Sequence, residues 1–154
     1  MSDESLHLVL VLSTAPDRAT AERLAHALVT ESLAACVNIL APCRSVYRWQ
    51  GEVCSEEEWP MLIKTPSDRL DALCARLRAL HPYEVPEIVT FAASSALPDY
   101  LAWAVEQTRP VSEIEVAKFD AIVIAGGQAP MFTFESATAL HEKFVAFYEA
   151  GKLA

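Results

Sequence analysis

The segment that most constrains the fold is the proline-rich stretch 81–89, with the sequence His-Pro-Tyr-Glu-Val-Pro-Glu-Ile-Val. Pro82 and Pro86 each fix φ and push the preceding residue towards extended geometry, so the stretch cannot be helical. It follows a helical apolar pattern and precedes a β-branched run, which predicts a stiff connection from a helix to a strand. Such a connection holds its side chains at fixed angles. The side chains predicted to form a site or a subunit contact are His81, Tyr83, Glu84 and Glu87.

The spacing of apolar residues predicts alternating strands and helices before residue 108. Pro16 and Asp17 suit the start of the first helix, and Ser67 suits the N-cap of the second. Gln50-Gly51 is a turn signal between two extended stretches, which predicts a hairpin that is bent at Pro42. The predicted strands span 8–12, 35–49, 52–65 and 87–93, and the predicted helices span 18–32, 67–80 and 98–107.

The order β-α-β-β-α-β is that of the split βαβ, ferredoxin-like fold of the α+β class. In this fold both helices cover one face of a four-stranded antiparallel sheet. Because apolar residues point to both faces here, we expect another subunit to cover the second face. Residues of the long hairpin are therefore candidates for a subunit interface or cleft, namely Tyr47, Trp49, Trp59 and Lys64.

Composition narrows the possible partners and the location. The formal net charge of −9 and the scattered basic residues argue against binding to nucleic acid or an anionic membrane. No apolar run approaches the ~20 residues that span a bilayer, and the N-terminus lacks a secretory leader pattern. The four cysteines form no CxxC pair, and a turn at 50–51 would place Cys54 opposite Tyr47 rather than Cys43. We therefore expect free thiols and a cytoplasmic location.

Six motifs follow one another along the chain: Ser-Thr-Ala-Pro-Asp (13–17), Leu-Ala-Ala-Cys-Val-Asn (33–38), Ser-Val-Tyr-Arg-Trp-Gln-Gly-Glu (45–52), Ile-Lys-Thr (63–65), His-Pro-Tyr-Glu-Val-Pro-Glu-Ile (81–88) and Tyr-Leu-Ala-Trp (100–103). Together they resemble the CutA family, the divalent-cation tolerance proteins. The resemblance covers about 6–108, so we expect a CutA-like domain over 1–110. It implies a non-enzymatic homotrimer associated with divalent-cation (copper) tolerance, whose hairpin packs against neighbouring subunits. Since the family's fold is similar to the PII signalling proteins, a PII-like sensor that binds an anionic effector at subunit clefts is the alternative.

The resemblance also points to metal-ligand positions, which this chain fills poorly. The family's proposed copper ligands fall at Ser13, Leu80 and His81, and of these only His81 is a good ligand. Cys36 matches the family's Ala-Ala-Cys but lies in an apolar strand, where we expect it to be buried. We therefore predict no required cofactor and at most weak binding of Cu(II) or another divalent cation. The competing interpretation of His81 is a hydrogen-bonded histidine at a subunit contact. Residues 56–58 (Glu-Glu-Glu) could attract cations loosely, but we interpret them as a solvated strand start.

The tail differs from the rest of the chain. Residues 118–132 resemble the PfpI-like superfamily, the class I glutamine-amidotransferase-like hydrolases and chaperones, in which a strand and Gly-Gly precede a helix. The corresponding elements here are a strand at 121–125 and a helix at 136–150 with Gly151 as its C-cap. No cysteine follows Cys74, so the superfamily's nucleophile is missing. We expect 111–154 to be an appended βα fragment; a PfpI-like hydrolase or chaperone fragment is the third alternative.

Overall fold

A computed structural model describes residues 6–110, 113, 117 and 138–151. The chain separates into two compact units, Met1–Thr108 and Arg109–Ala154. The strands of the first unit are β1 (Leu8–Ala15), β2 (Cys36–Ile39), β3 (Cys43–Trp49), β4 (Glu52–Pro66) and β5 (Val89–Ala92). Its helices are α1 (Arg18–Thr30), α2 (Leu70–Leu80) and α3 (Pro98–Gln107), and α2 is preceded by a 3₁₀ turn at Ser67–Arg69.

The strands form one antiparallel sheet in the order β2-β4-β1-β5, with β3 also paired to β4. β4 is long enough to pair with β1 at its end, from Trp59 to Pro66, and with β3 at its beginning. The predicted ferredoxin-like α+β class is confirmed. The predicted second strand is divided into β2 and β3 around Pro42, because proline cannot donate to the ladder.

The hairpin between β3 and β4 turns at Gln50 and Gly51, as predicted. Both residues have positive φ, 48° and 89°, as the two central positions of a type I′ turn require. In the resulting register Tyr47 lies opposite Cys54, and all four cysteines are free. Residues with side chains on one face of the hairpin, such as Tyr47, alternate with residues such as Val46 on the other face.

The core lies between the sheet and helices α1 and α2. Asp17 caps α1, since its Oδ1 accepts a hydrogen bond of 2.7 Å from the amide of Thr20. The largest fully buried aliphatic side chains of this core are Leu24, Leu28, Met61, Ile63, Leu73, Leu77 and Val11. Their alternation along β4 and their helical spacing along α1 and α2 agree with the strands and helices that the apolar spacing predicted.

Helix α3 covers part of the opposite face of the sheet, which the sequence analysis left bare. Ala104 of α3 packs with Leu8 and Ala35 in a second apolar cluster. Further along this face Val89 and Phe91 remain exposed. The second face is therefore covered only at one end, and the remaining apolar patch still requires an explanation.

Several predicted boundaries were wrong for identifiable reasons. β1 continues to Ala15 rather than Leu12, because its pairing with β4 extends to Trp59. Ser67 does not cap α2; its hydroxyl accepts a hydrogen bond from the amide of His7 instead, and the helix begins after the 3₁₀ turn. β5 begins at Val89 rather than Glu87, since the proline segment extends further than predicted.

In the second unit the structure describes a helix, α4 (Thr138–Glu149), inside the predicted range 136–150. Gly151 follows it with φ of 69°, and its amide donates to the carbonyl of Tyr148. The predicted C-cap is confirmed. The predicted strand at 121–125 lies outside the described residues. Among the residues that are described, no helix has both the length and the apolar character needed to cross a membrane.

Candidate functional site

A cleft of about 590 Å³ lies between the β3–β4 hairpin and the proline segment 82–87. We call it the hairpin cleft. Its volume is in the range of sites for small molecules. Its walls are formed chiefly by three aromatic rings, Tyr47, Trp49 and Tyr83, and by three carboxylates, Glu58, Glu84 and Glu87. Trp49 and Tyr47 alternate with residues on the other hairpin face, so the strand geometry presents both rings to the cleft.

The inner end of the hairpin cleft is built around Glu58. Its side chain is only 6% exposed, and its Oε1 accepts two hydrogen bonds. The Tyr83 hydroxyl donates to it at 2.9 Å and the Thr14 hydroxyl at 3.3 Å. A carboxylate buried this far needs such donors, because each replaces water that the charge would otherwise bind. Glu58 thereby ties the proline segment to the sheet.

His81 lies beside this network and is 8% exposed. Its Nδ1 accepts a hydrogen bond of 3.2 Å from the Tyr83 amide, so this nitrogen carries no proton. Its Nε2 lies 2.8 Å from the Thr14 carbonyl oxygen, which can only accept, so Nε2 carries the proton. The imidazole is therefore neutral and both nitrogens are occupied. Burial lowers the pKa of His81, and the hydrogen bond to the Thr14 carbonyl opposes that effect only in part.

Two tyrosine hydroxyls of the hairpin cleft are held by carboxylates. Burial raises the pKa of Tyr83, and its hydrogen bond to Glu58 raises it further. Tyr47 donates to Oε2 of Glu56 at 3.0 Å, and this hydrogen bond is the main reason its pKa is raised. Both phenols stay protonated as donors, and each ring is held in place through its hydroxyl group.

The charge of the hairpin cleft is negative. Three of the described residues that line it are glutamates, and none of those lining residues is lysine, arginine or histidine. Carboxylates on low-dielectric walls attract cations and repel anions. The lining therefore favours a cationic ligand over an anionic effector.

The structure brings together most of the predicted site residues but not all. Tyr47, Trp49, Tyr83, Glu84 and Glu87 line the hairpin cleft. The other two hairpin candidates do not line it. Trp59 packs against the core beneath α1 and α2, and Lys64 lies further along β4, opposite Leu10. A role for these residues at a subunit interface stays a prediction.

The two metal candidates, His81 and Cys36, lie at different places on the sheet. His81 contacts Thr14, whereas Cys36 pairs with Lys64, which lies opposite Leu10. Leu10 and Thr14 are four positions apart along β1, which corresponds to about 14 Å at ~3.4 Å per residue. Among the residues that the structure describes, no group of three or more histidine, cysteine, aspartate or glutamate side chains could hold a metal ion.

Cys36 is half-buried rather than buried as expected. The Lys64 amine lies 3.8 Å from its sulfur and also donates to the Asn38 side-chain oxygen. Its surroundings are thus polar on one side, because β2 is an edge strand of the sheet. The apolar neighbours of Cys36 along the strand suggested apolar surroundings. The sequence could not show which residues of the adjacent strand lie beside its side chain.

Glu58 and Thr14 are the site residues that the sequence analysis missed. Residues 56–58 were interpreted as a solvated strand start, and for Glu58 this was wrong. One signal was available: β4 was predicted to run unbroken to Thr65, so Glu58 shares the face of Leu62 rather than that of Glu57. The contact with Tyr83 depends on the path of the proline segment, which no local pattern specifies.

Comparison with known proteins gives a consistent result for the first unit. Residues 9–107 match the family model of the CutA1 divalent ion tolerance protein. The chain is 46% identical over 99 residues to the divalent-cation tolerance protein CutA of Thermus thermophilus, covering 64% of this chain and 96% of that one. It is 43% identical over 104 residues to that of Pectobacterium atrosepticum, covering 67% and 94%.

A solved structure supports the same relationship. The crystal structure of CutA from Xylella fastidiosa aligns with a TM-score of 0.65 at 42% identity, covering 67% of this chain and 99% of that one. The family match ends at residue 107, and the resemblance of the tail to the PfpI-like superfamily is not supported.

Proposed function

The chain belongs to the CutA1 divalent ion tolerance family, and on that premise we propose that it is a homotrimer without catalytic activity that acts in the tolerance of divalent cations, copper among them. The proposed interaction with divalent cations is supported by the lining of the hairpin cleft. Its three carboxylates have no basic neighbour among the described lining residues, so they offer cations a favourable potential.

We expect the binding of divalent cations in this cleft to be weak. Glu84 and Glu87 are exposed and Glu58 is already bound by two hydroxyl groups. Carboxylates suit hard cations such as Mg²⁺ better than copper, and His81 has no free nitrogen to offer. We therefore expect a Kd for Cu(II) above about 1 µM, the value that corresponds to a binding free energy of ~8.2 kcal/mol.

Calorimetric titration of the full chain with Cu(II) and with Mg²⁺ tests this part of the proposal. Glu84→Gln should weaken the binding of either cation. Glu57→Gln is the matched control, because Glu57 lies on the hairpin face that points away from the cleft. Equal effects of both substitutions would contradict a role for the hairpin cleft.

The proposed trimer rests on exposed apolar side chains. Val46 and Val53 are 67% and 65% exposed on the hairpin face opposite the cleft, and Val89 and Phe91 are exposed on the sheet. By the pairing register the two pairs lie on opposite faces, and burying either pair contributes about 25 cal/mol per Å² of apolar surface removed from water. Phe91→Glu should yield smaller particles in analytical ultracentrifugation. A variant that keeps the mass of the wild type would contradict a subunit contact at this face.

The alternatives receive less support. An anionic effector of the PII-like kind would meet the three carboxylates of the hairpin cleft without a described basic lining residue to pair with. A PfpI-like hydrolase would need the nucleophile that the tail lacks, since the sequence has no cysteine after Cys74. The cytoplasmic location stays part of the proposal, and the four free cysteines support a reducing compartment.

A further inference from the structure

We infer that the hairpin cleft binds an organic cation, and that a linear aliphatic polyamine is the class of ligand that fits it. The inference goes beyond the proposed function, because it requires neither a metal ion nor the trimer. It rests on the presence of aromatic rings and carboxylates in one cavity. An inorganic cation would interact mainly with the carboxylates, and an anion would be repelled by them.

The aromatic walls distinguish this site from a simple acidic surface. Tyr47, Trp49 and Tyr83 line the same cavity, and the face of an aromatic ring attracts an ammonium group within about 6 Å. The methylene groups of an alkylamine also bury apolar surface against the rings, which a hydrated metal ion cannot do. A ligand with both charge and an aliphatic chain therefore gains from both parts of the lining.

The cavity is organised before any ligand binds. Tyr83 is held by Glu58 and Tyr47 by Glu56, through hydrogen bonds of 2.9 and 3.0 Å. Rings fixed in this way lose little further side-chain entropy when a ligand enters, which favours affinity. Both hydroxyl groups that bind Glu58 converge on its Oε1, and within the described part of the chain Oε2 has no hydrogen-bond partner. That oxygen can accept from an ammonium group.

The arrangement of the carboxylates favours a ligand with several positive charges over a ligand with one. Glu58 comes from β4, whereas Glu84 and Glu87 come from the proline segment. Glu84 and Glu87 are three positions apart in the sequence, so their Cα atoms are at most about 10 Å from each other. Successive ammonium groups of a polyamine are spaced by a few methylene groups, so one molecule can reach more than one carboxylate. The volume of about 590 Å³ is sufficient for such a chain.

The hairpin cleft is separate from the apolar hairpin residues proposed for subunit contact. Val46 and Val53 alternate with Tyr47 and Trp49 and therefore lie on the other face of the hairpin. Assembly through Val46 and Val53 would leave the cleft face of the hairpin for a ligand. Val89 and Phe91, in contrast, lie on the sheet face that Glu58 shares, further along the sheet.

Titration of the full chain with spermidine tests the inference, with Mg²⁺ at equal ionic strength as the probe of charge alone. We expect saturable binding of one spermidine per chain, followed by calorimetry, that Mg²⁺ does not reproduce. Trp49→Leu should weaken spermidine binding about tenfold, as loss of a cation–π contact and apolar surface predicts. Trp103→Leu is the matched control, because Trp103 is 39% exposed against 41% for Trp49 but lies on α3.

A second pair of variants separates the carboxylates from general surface charge. Glu84→Gln should weaken spermidine binding severalfold, whereas Glu57→Gln on the opposite hairpin face should leave it unchanged. Both positions are exposed, so neither substitution threatens folding. Absence of saturable binding, equal effects of Trp49→Leu and Trp103→Leu, or complete competition by Mg²⁺ at equal ionic strength would each overturn the inference.

Discussion

His81→Ala distinguishes a structural histidine from a metal ligand. The substitution removes the hydrogen bonds of the imidazole to the Thr14 carbonyl and the Tyr83 amide, at about 1 kcal/mol each. It also empties the space of a ring that is 8% exposed, which costs about 1 kcal/mol more. The total loss in the free energy of unfolding is about 3 kcal/mol. For a chain of this length that lowers Tm by about 6–12 °C.

The assay pairs a thermal melt with a Cu(II) titration of the same variant. We expect the melting temperature to fall while Cu(II) binding stays almost unchanged. His26→Ala is the control, because His26 is exposed on α1 and its loss should leave both quantities as they are.

The pH dependence gives an independent check. Since burial lowers the pKa of His81 below its ordinary 6.5, the unfolded chain takes up a proton at this residue before the folded chain does. The stability that neutral His81 contributes is therefore present above pH 6.5 and is lost as the pH falls below that value. His81→Ala should show a smaller loss over the same range. Submicromolar Cu(II) binding that His81→Ala abolishes, with an unchanged Tm, would refute the structural interpretation.

Three further predictions follow from the same structure. Ser13→Ala should stabilise the protein by about 1 kcal/mol in denaturant melts, because the Ser13 hydroxyl is fully buried and has no hydrogen-bond partner in the described structure; a destabilised variant would show that the hydroxyl is satisfied. Tyr83→Phe should cost about 2 kcal/mol by leaving Glu58 one donor short. Because the pKa of Tyr83 is raised by folding, the free energy of unfolding of the wild type should decline as the pH rises above 10.0, and that of Tyr83→Phe should decline less. Parallel curves of stability against pH for the two proteins would contradict this. Deletion of 112–154 should leave the first unit folded with an unchanged Tm, since both of the described apolar clusters lie within Met1–Thr108; a large fall would show that the tail is integral to it.

The order of elements was predictable because each carries a local signal. Pro98 at the first turn of α3 and Gln50-Gly51 at the hairpin gave the element boundaries correctly. The motif around 81–88 also led to the right family and to three of the residues that line the hairpin cleft, and the hairpin pattern led to two more. These features depend on backbone preferences and on the spacing of residue types, and both can be recognised from residues that are close together in the sequence.

The remainder depended on contacts between distant parts of the chain. Glu58 is separated from Tyr83 by 25 residues, and only the path of the proline segment brings the two together. Ser67 has the chemistry of an N-cap, but its hydroxyl oxygen accepts a hydrogen bond from the amide of His7, which lies 60 residues away. The partial cover of the sheet by α3 likewise required knowledge of how Ala104 packs on Leu8.

The mass of the full chain in solution tests the proposed assembly most directly. Multi-angle light scattering at micromolar concentration should give three times the mass of one chain, and the value should hold on dilution. That result is expected because the exposed apolar residues of the hairpin and the sheet need a partner. A stable monomer under the same conditions would contradict the homotrimer and the subunit contact proposed for Val46, Val53 and Phe91.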